Sequence, residues 1–228
     1  MIEFLFIDLD ETILDFHKAE AMAIAKTLQS FGLEPDEQVV TRYSQINKSY
    51  WERLERKEVT REYLLVNRFA DLFAEYGMPV DPVQCARTYE KNLSTGHYFL
   101  PGAREAVESL SKKYKLYLAS NGTARVQAGR LESANISHFF QEIFISQEVG
   151  ANKPDREYFD RCFARIPGFD RSKTMIVGDS LTSDILGGKQ AEILTCWVNP
   201  KGKPCPDDLK PDYEIPALSA LEALLENI

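Results

Sequence analysis

Asp8 and Asp10 follow directly on the apolar run Phe4 to Ile7, two positions apart in Asp8-Leu9-Asp10-Glu11-Thr12. At the end of a strand, side chains two residues apart point the same way. A second acidic pair, Asp179 and Asp184, stands in Gly178-Asp179-Ser180-Leu181-Thr182-Ser183-Asp184, again just after an apolar run. Two like unit charges roughly 4 Å apart repel by about 4 kcal/mol at an effective dielectric near 20. Such a cluster takes up protons or holds a divalent cation. Carboxylate donors with no His or Cys nearby favour a hard ion, and partly hydrated Mg2+ suits phosphate chemistry.

Cleaving a phosphate monoester needs an in-line nucleophile, neutralised phosphoryl oxygens and a protonated leaving group. The uncatalysed reaction is among the slowest known, with enhancements of up to roughly 10²¹ required. Asp8 can attack phosphorus to give an aspartyl phosphate. Asp10 can give a proton to the departing alcohol, then take one from the hydrolytic water. Ser120 and Asn121, at the end of another apolar run, offer hydroxyl, amide and backbone donors to phosphoryl oxygens. Lys153 precedes Pro154, which suits the first position of a helix starting near Asp155. A cation there would stand beside both Asp8 and the phosphate. Each motif alone also has an ordinary structural explanation: Ser120-Asn121-Gly122 reads as turn chemistry, and Asp184 as an early-helix acid. Their joint order is what points to a single site.

Five apolar runs must position these residues: Phe4 to Ile7, Leu116 to Ala119, Ile143 to Ile145, Met175 to Val177, and Leu194 to Val198. They are continuous rather than alternating, as in parallel strands covered on both faces. Amphipathic segments between them predict helices over Ala103–Tyr114, Ala124–Asn135, Asp155–Arg165 and Ser183–Ala191. A short strand at Tyr213–Ile215 and a helix at Ala217–Leu225 close the chain. The alternation predicts an α/β fold of three layers, a doubly wound, mainly parallel sheet. From Phe16 to Gly96 the pattern is helical throughout, with helices expected over Lys18–Phe31, Asp36–Glu55, Thr60–Tyr76 and Asp81–Leu93. The expected organisation is thus a catalytic α/β core, 1–15 and 98–228, with an inserted all-helical cap subdomain, 16–97. The connections near Phe16 and Pro101 are where such a cap would hinge. In an open parallel sheet, ligands bind outside the carboxyl ends of the strands. Asp8, Ser120 and Asp179 all fall there.

Bulk properties narrow the function class. The 228 residues carry 27 basic and 35 acidic side chains, a net charge of -8, which repels nucleic acid and anionic lipid. No run approaches the roughly 18 apolar residues of a membrane span. The four cysteines have neither C-x-x-C nor metal-ligand spacing, and the first residues lack a basic leader region. The simplest expectation is a reduced, cytoplasmic protein acting on a small molecule, without nucleic-acid or membrane partners. Its oligomeric state is not legible.

The ordered set Asp8-x-Asp10, Ser120, Lys153-Pro154 and Gly178-Asp179-x-x-x-x-Asp184 resembles the four motifs of the haloacid dehalogenase superfamily, over essentially the whole chain. The helical insert resembles that superfamily's first cap class. The resemblance implies Asp8 as nucleophile, Asp10 as acid/base, and Ser120 and Lys153 as phosphate contacts. It implies Mg2+ bound by the Asp8 side chain, the Asp10 carbonyl and Asp179, with Asp184 behind them. Dehalogenases lack the second aspartate, so Asp10 speaks against carbon–halogen cleavage. Phosphomutases share these motifs.

Further blocks resemble a branch of 5'-nucleotidases, often acting on pyrimidine nucleotides. They are Asn121-Gly122 with Gln127 and Arg130-Leu131, Ile145 to Gly150, Asp184 to Gly188, Thr195 to Asn199, and Asn47-Lys48 with Trp51 in the cap. The implied activity is hydrolysis of nucleoside 5'-monophosphates. A sugar-phosphate or acylneuraminate-phosphate phosphatase would use the same core with different cap contacts. A non-catalytic phosphate-binding protein would require a lost catalytic residue, and none is lost.

Overall fold

The computed structural model describes residues 1–228. β1 (Phe4–Ile7) is followed by four helices: α1 (Phe16–Ser30), α2 (Glu37–Glu55), α3 (Arg61–Tyr76) and α4 (Pro82–Leu93). Then come α5 (Ala103–Ser111), β2 (Lys115–Ser120), α6 (Ala124–Ala134), β3 (Glu142–Ile145), α7 (Ser146–Val149) and α8 (Arg156–Phe163). β4 (Thr174–Gly178), α9 (Leu186–Gln190), β5 (Leu194–Val198), β6 (Tyr213–Ile215) and α10 (Leu221–Leu225) complete the chain.

The six strands form one parallel sheet in the order β3-β2-β1-β4-β5-β6. The expected α/β doubly wound fold is therefore what the chain adopts. Strand residues alternate between two cores. Leu5, Ile7, Leu116, Leu118, Met175 and Val177 pack on one face under α5 and α10. Phe4, Phe6, Tyr117, Ala119 and Ile176 pack on the other against α8. Burial on both faces explains why the strands read as unbroken apolar runs.

The helices between β1 and α5 form a third hydrophobic cluster of their own, around Tyr43, Phe69, Leu72 and Tyr89. Each starts at a residue whose side chain accepts from the first turn. Asp15 accepts from the Lys18 N–H at 2.8 Å, Asp36 from Val39 at 2.9 Å, Thr60 from Tyr63 at 3.2 Å and Asp81 from Val83 at 2.9 Å. Asp36, Thr60 and Asp81 were expected inside their helices; they are the caps instead, with extended backbone. The two chain crossings into this layer are tied to each other. The Asp15 N–H donates to the Tyr98 carbonyl at 2.8 Å and the Leu100 N–H to the Ile13 carbonyl at 3.0 Å.

Two other expectations are corrected. Lys153 and Pro154 lie in a turn before Asp155 and Arg156, not in the first turn of α8. The Asp155 N–H closes that turn on the Asn152 carbonyl at 2.9 Å, while its carboxylate pairs with Lys57 at 3.0 Å. The helix expected over Ser183–Ala191 is split into a π-type turn, Leu181–Ile185, and α9. In that turn the Ser180 carbonyl accepts from both Asp184 and Ile185.

Candidate active site

β1 sits beside β2 on one side and β4 on the other, so the strand order reverses between β1 and β4. The crevice at such a reversal, beyond the carboxyl ends of the strands, is where doubly wound sheets bind ligands. Asp8 is the first residue past β1, Ser120 the last of β2, and Asp179 the first past β4. The Asp8 N–H still bonds the Val177 carbonyl at 2.9 Å, which fixes it at the rim. Glu11, at φ 58, turns the chain back through the left-handed region, a conformation costly for a side-chain-bearing residue and common at functional sites.

Lys153 is the hub. Its ammonium donates to Asp8 Oδ1, Asp184 Oδ1 and the Ala119 carbonyl, each at 2.6 Å, with the lysine side chain 1% exposed. Its backbone is clamped by Asn121: the amide Nδ2 donates to the Lys153 carbonyl at 2.8 Å, and Oδ1 accepts from the Lys153 N–H at 2.9 Å. The Asn121 side chain, expected to face phosphate, is thus committed to Lys153. Burial works against the Lys153 charge, but the Asp184 and Asp8 carboxylates outweigh it and hold the ammonium above its usual range.

Ligand oxygens of Asp8, Asp179 and Asp184 lie within 4.8 Å of one another. Asp184, expected behind the other carboxylates, stands among them. Gly178 makes room for it, since a Cβ there would meet Asp184 Oδ2 at 2.2 Å. The crowding shows in protonation. Asp179 is pushed up to about 8, by burial first and then by the charges of Asp8, Asp184 and Glu11. Burial pushes Asp8 up to about 7, with Lys153 pulling the other way. The donor set is three carboxylates, with no nitrogen or sulfur, and fits a hard divalent cation. The Trp197 indole N–H donates to the Asp179 carbonyl at 2.8 Å and anchors that corner.

Asp10 is held separately. Gln127 Nε2 donates to Asp10 Oδ2 and to Ser120 Oγ, both at 2.8 Å, and the Arg130 guanidinium donates to Asp10 Oδ1. Arg130 is fully buried and also donates to the Gly96 carbonyl at 3.0 Å. Gln127 and Arg130 share one face of α6. They were noted in the sequence only as part of a family-like block. The i, i+3 spacing that puts Gln127 and Arg130 on one helix face was the available signal, but nothing in it said which acid they would meet.

Arg61 was missed. It opens α3 and crosses to the sheet, donating to the Gly122 carbonyl at 2.7 Å, Ser146 Oγ at 2.7 Å and Asn152 Oδ1 at 2.6 Å. Its partners come from 61 to 91 residues away, so sequence alone carried no sign of them. Beneath the helices lies a cavity of ≈ 350 Å³, whose walls include Asp10 and Asp179 from the sheet side and Phe16, Asn47 and Trp51 from the helices. No helix is long and apolar enough to cross a membrane.

A doubly wound sheet with an acidic cluster and buried lysine at its switch point, under a layer of helices, defines a hydrolase class. The chain belongs to the haloacid dehalogenase-like hydrolase family, whose family pattern matches residues 5–198. Among individual proteins, it is 37% identical to the HAD hydrolase YfnB of Bacillus subtilis, over 97% of this chain and 94% of that protein. A crystal structure of YfnB bound to magnesium superposes with a TM-score of 0.94, covering 100% of this chain and 99% of the other. The chain is also 36% identical to the pyrimidine 5'-nucleotidase PynA of Streptococcus pneumoniae, over 93% of this chain and 90% of PynA. It is 28% identical to the pyrimidine 5'-nucleotidase YjjG of Escherichia coli, over 98% of this chain and 97% of YjjG.

Proposed function

We propose that the protein is a Mg2+-dependent phosphomonoesterase that works through an aspartyl phosphate on Asp8 and takes nucleoside 5'-monophosphates, pyrimidine nucleotides above all. The observation that carries the chemistry is Asp8 itself. It is a buried carboxylate at the sheet's switch point, held 2.6 Å from the Lys153 ammonium and facing Asp179 and Asp184. Similarity to PynA and YjjG along nearly the whole chain supports the substrate class.

Asp8, Asp179 and the Asp10 carbonyl would hold Mg2+, with Asp184 alongside, and the bound ion would neutralise charge on the phosphoryl oxygens. Lys153 keeps the Asp8 carboxylate aimed and adds positive charge at the phosphoryl group. An Asp8 oxygen attacks phosphorus, and the bond from phosphorus to the alcohol oxygen breaks. Asp10, oriented by Gln127 and Arg130, gives the departing oxygen its proton and later takes one from the water that hydrolyses the intermediate. Ser120 presents its hydroxyl beside them, with its oxygen set by Gln127. The helical layer, tied down by Arg61, excludes bulk water during transfer. All four cysteines are unpaired, which supports a reducing compartment such as the cytoplasm.

The test is phosphate release from a panel of nucleoside 5'-monophosphates and sugar phosphates, with Mg2+ and with EDTA. Mg2+-dependent release that is fastest from nucleotides is expected. A clear preference for a hexose phosphate would keep the chemistry and replace the substrate. No release from any compound would overturn the hydrolase reading of this site.

A further inference from the structure

The four helices of the insert do not enclose a purely apolar core. Each sends one polar side chain to the same place: Glu20 from α1, Asn47 from α2, Arg68 from α3 and Tyr89 from α4. All four are at least 97% buried, and all four line the cavity that also contains Asp10 and Asp179. Asn47 Nδ2 donates to Glu20 Oε1 at 2.6 Å, and Arg68 Nη1 donates to Asn47 Oδ1 at 2.7 Å. The Arg68 guanidinium lies 5.0 Å from the centre of the Tyr89 ring.

Burying a carboxylate, an amide and a guanidinium together is costly unless their hydrogen-bonding capacity is used. Here it is used only in part. Arg68 Nε and the Tyr89 hydroxyl are buried with no partner at all. Asn47 has a second amide N–H, and the Glu20 carboxylate has a second oxygen. A buried polar group without a partner calls for one, and in a cavity wall the occupant supplies it.

The open valences have a definite composition. Glu20 is an acceptor; Asn47 and Arg68 are donors. A ligand edge with one donor and two acceptors complements them. The chain Glu20–Asn47–Arg68 sets the order acceptor, donor, donor; cytosine meets it in full with its amino group, N3 and O2, and uracil and thymine meet its first two positions with N3–H and a carbonyl. The guanine edge has the opposite count, one acceptor and two donors, and would leave donors facing donors. Phe16 and Trp51, in the same cavity, supply flat apolar surface for a ring.

We propose that Glu20, Asn47 and Arg68 form the base-reading wall of the cavity and select a pyrimidine by its hydrogen-bonding edge. This inference rests on the nucleotidase reading of the site. It assigns the specificity to residues that make no hydrogen bond to Asp8, Asp10 or Lys153, so base and phosphate recognition are separable.

The experiment measures kcat/KM of the full-length enzyme with Mg2+ for UMP, CMP, GMP and ribose 5-phosphate, which carries the phosphate but no base. Asn47→Leu, which keeps the branching but is larger than asparagine, and Arg68→Met, close in volume to arginine, are expected to lower the UMP and CMP values at least about tenfold. Ribose 5-phosphate should stay within about threefold of wild type, which also reports an intact core. Should either variant fail to fold, Glu20→Gln keeps the shape and can still bond Asn47, and it is expected to shrink the pyrimidine-to-GMP ratio. If wild type prefers nucleotides and all folded variants keep the same preference, the wall does not read the base. Equal losses on ribose 5-phosphate and on nucleotides would reduce the cluster to a structural role and overturn the proposal. A wild-type enzyme that does not favour nucleotides over ribose 5-phosphate would instead remove the nucleotidase reading on which the wall depends.

Discussion

Lys153 Nζ lies 2.6 Å from Asp8 Oδ1, although 145 residues separate the two in sequence. The same ammonium lies 2.6 Å from Asp184 Oδ1. One buried cation thus separates two carboxylates that would otherwise face each other. Lys153→Met removes it without a large change of shape. Breaking a buried ion pair on one side costs about 3 kcal/mol or more. The variant should therefore melt well below wild type in EDTA and recover more than wild type on adding Mg2+. Its turnover should fall at least about 1000-fold. Calorimetry and steady-state kinetics check both.

The carboxylate cluster also sets a pH dependence. Asp179 and Asp8 are pushed up to about 8 and about 7, mainly by burial. A carboxyl whose folded value is raised contributes stability that is fully present below its unfolded value. That stability is lost as pH rises through the folded value. In EDTA, the melting temperature is therefore expected to drop between pH 5 and pH 8.5, by on the order of 5 °C. Saturating Mg2+ should flatten the slope, because the cation takes the place of the protons, and its apparent affinity should rise over the same interval. Thermal melts at several pH values, with and without the ion, measure this directly; a flat profile in EDTA would contradict it.

Arg130 acts on the reaction through Asp10. It is fully buried and donates to Asp10 Oδ1, while Gln127 takes the other oxygen at 2.8 Å. Arg130→Met should lower kcat by about 10- to 100-fold with little change in KM, since it disturbs the acid/base group and not the substrate pocket. A change in the pH profile of kcat should accompany it, and Arg130→Lys should recover part of the loss. A variant that lost stability but kept the wild-type pH profile would limit Arg130 to packing.

Much of this arrangement was legible in the residues. The apolar runs ending at Ile7 and Val198 end where the strands end, because strands buried on both faces leave no exposed polar position to blur them. Asp8, Ser120 and Asp179, each at or just past the end of a run, were placed at one sheet edge, whereas Lys153 was placed by its proline and expected at the start of a helix. Less visible was anything created by packing of distant elements. Asp184 enters the carboxylate group through a π-type turn that no periodicity announces, and only beside a glycine at 178. Nothing in the sequence singles out Glu20 or Arg68; burial by neighbouring helices is what makes them a cluster.

Arg61 ties the helical layer to the sheet through a single buried side chain. Its three hydrogen bonds reach the Gly122 carbonyl, two residues past Ser120, and the side chains of Ser146 and Asn152. Arg61→Met should leave the three hydrophobic clusters intact yet loosen the docking of the helical layer on the sheet. Faster proteolysis within 94–102, a raised KM for large substrates and a nearly normal melting temperature are expected. If protease sensitivity and KM both matched wild type, the layer would be held by apolar packing alone.

The claim on which all of this rests is that Asp8 carries the phosphoryl group. Enzyme mixed with a nucleotide and Mg2+, quenched in acid within milliseconds and digested, should yield a peptide containing Asp8 that has gained the mass of one phosphoryl group. That gain should be absent in Asp8→Asn, which should also release no phosphate. Phosphate release by wild type with no phosphorylated Asp8 peptide, together with sustained turnover in Asp8→Asn, would contradict the account.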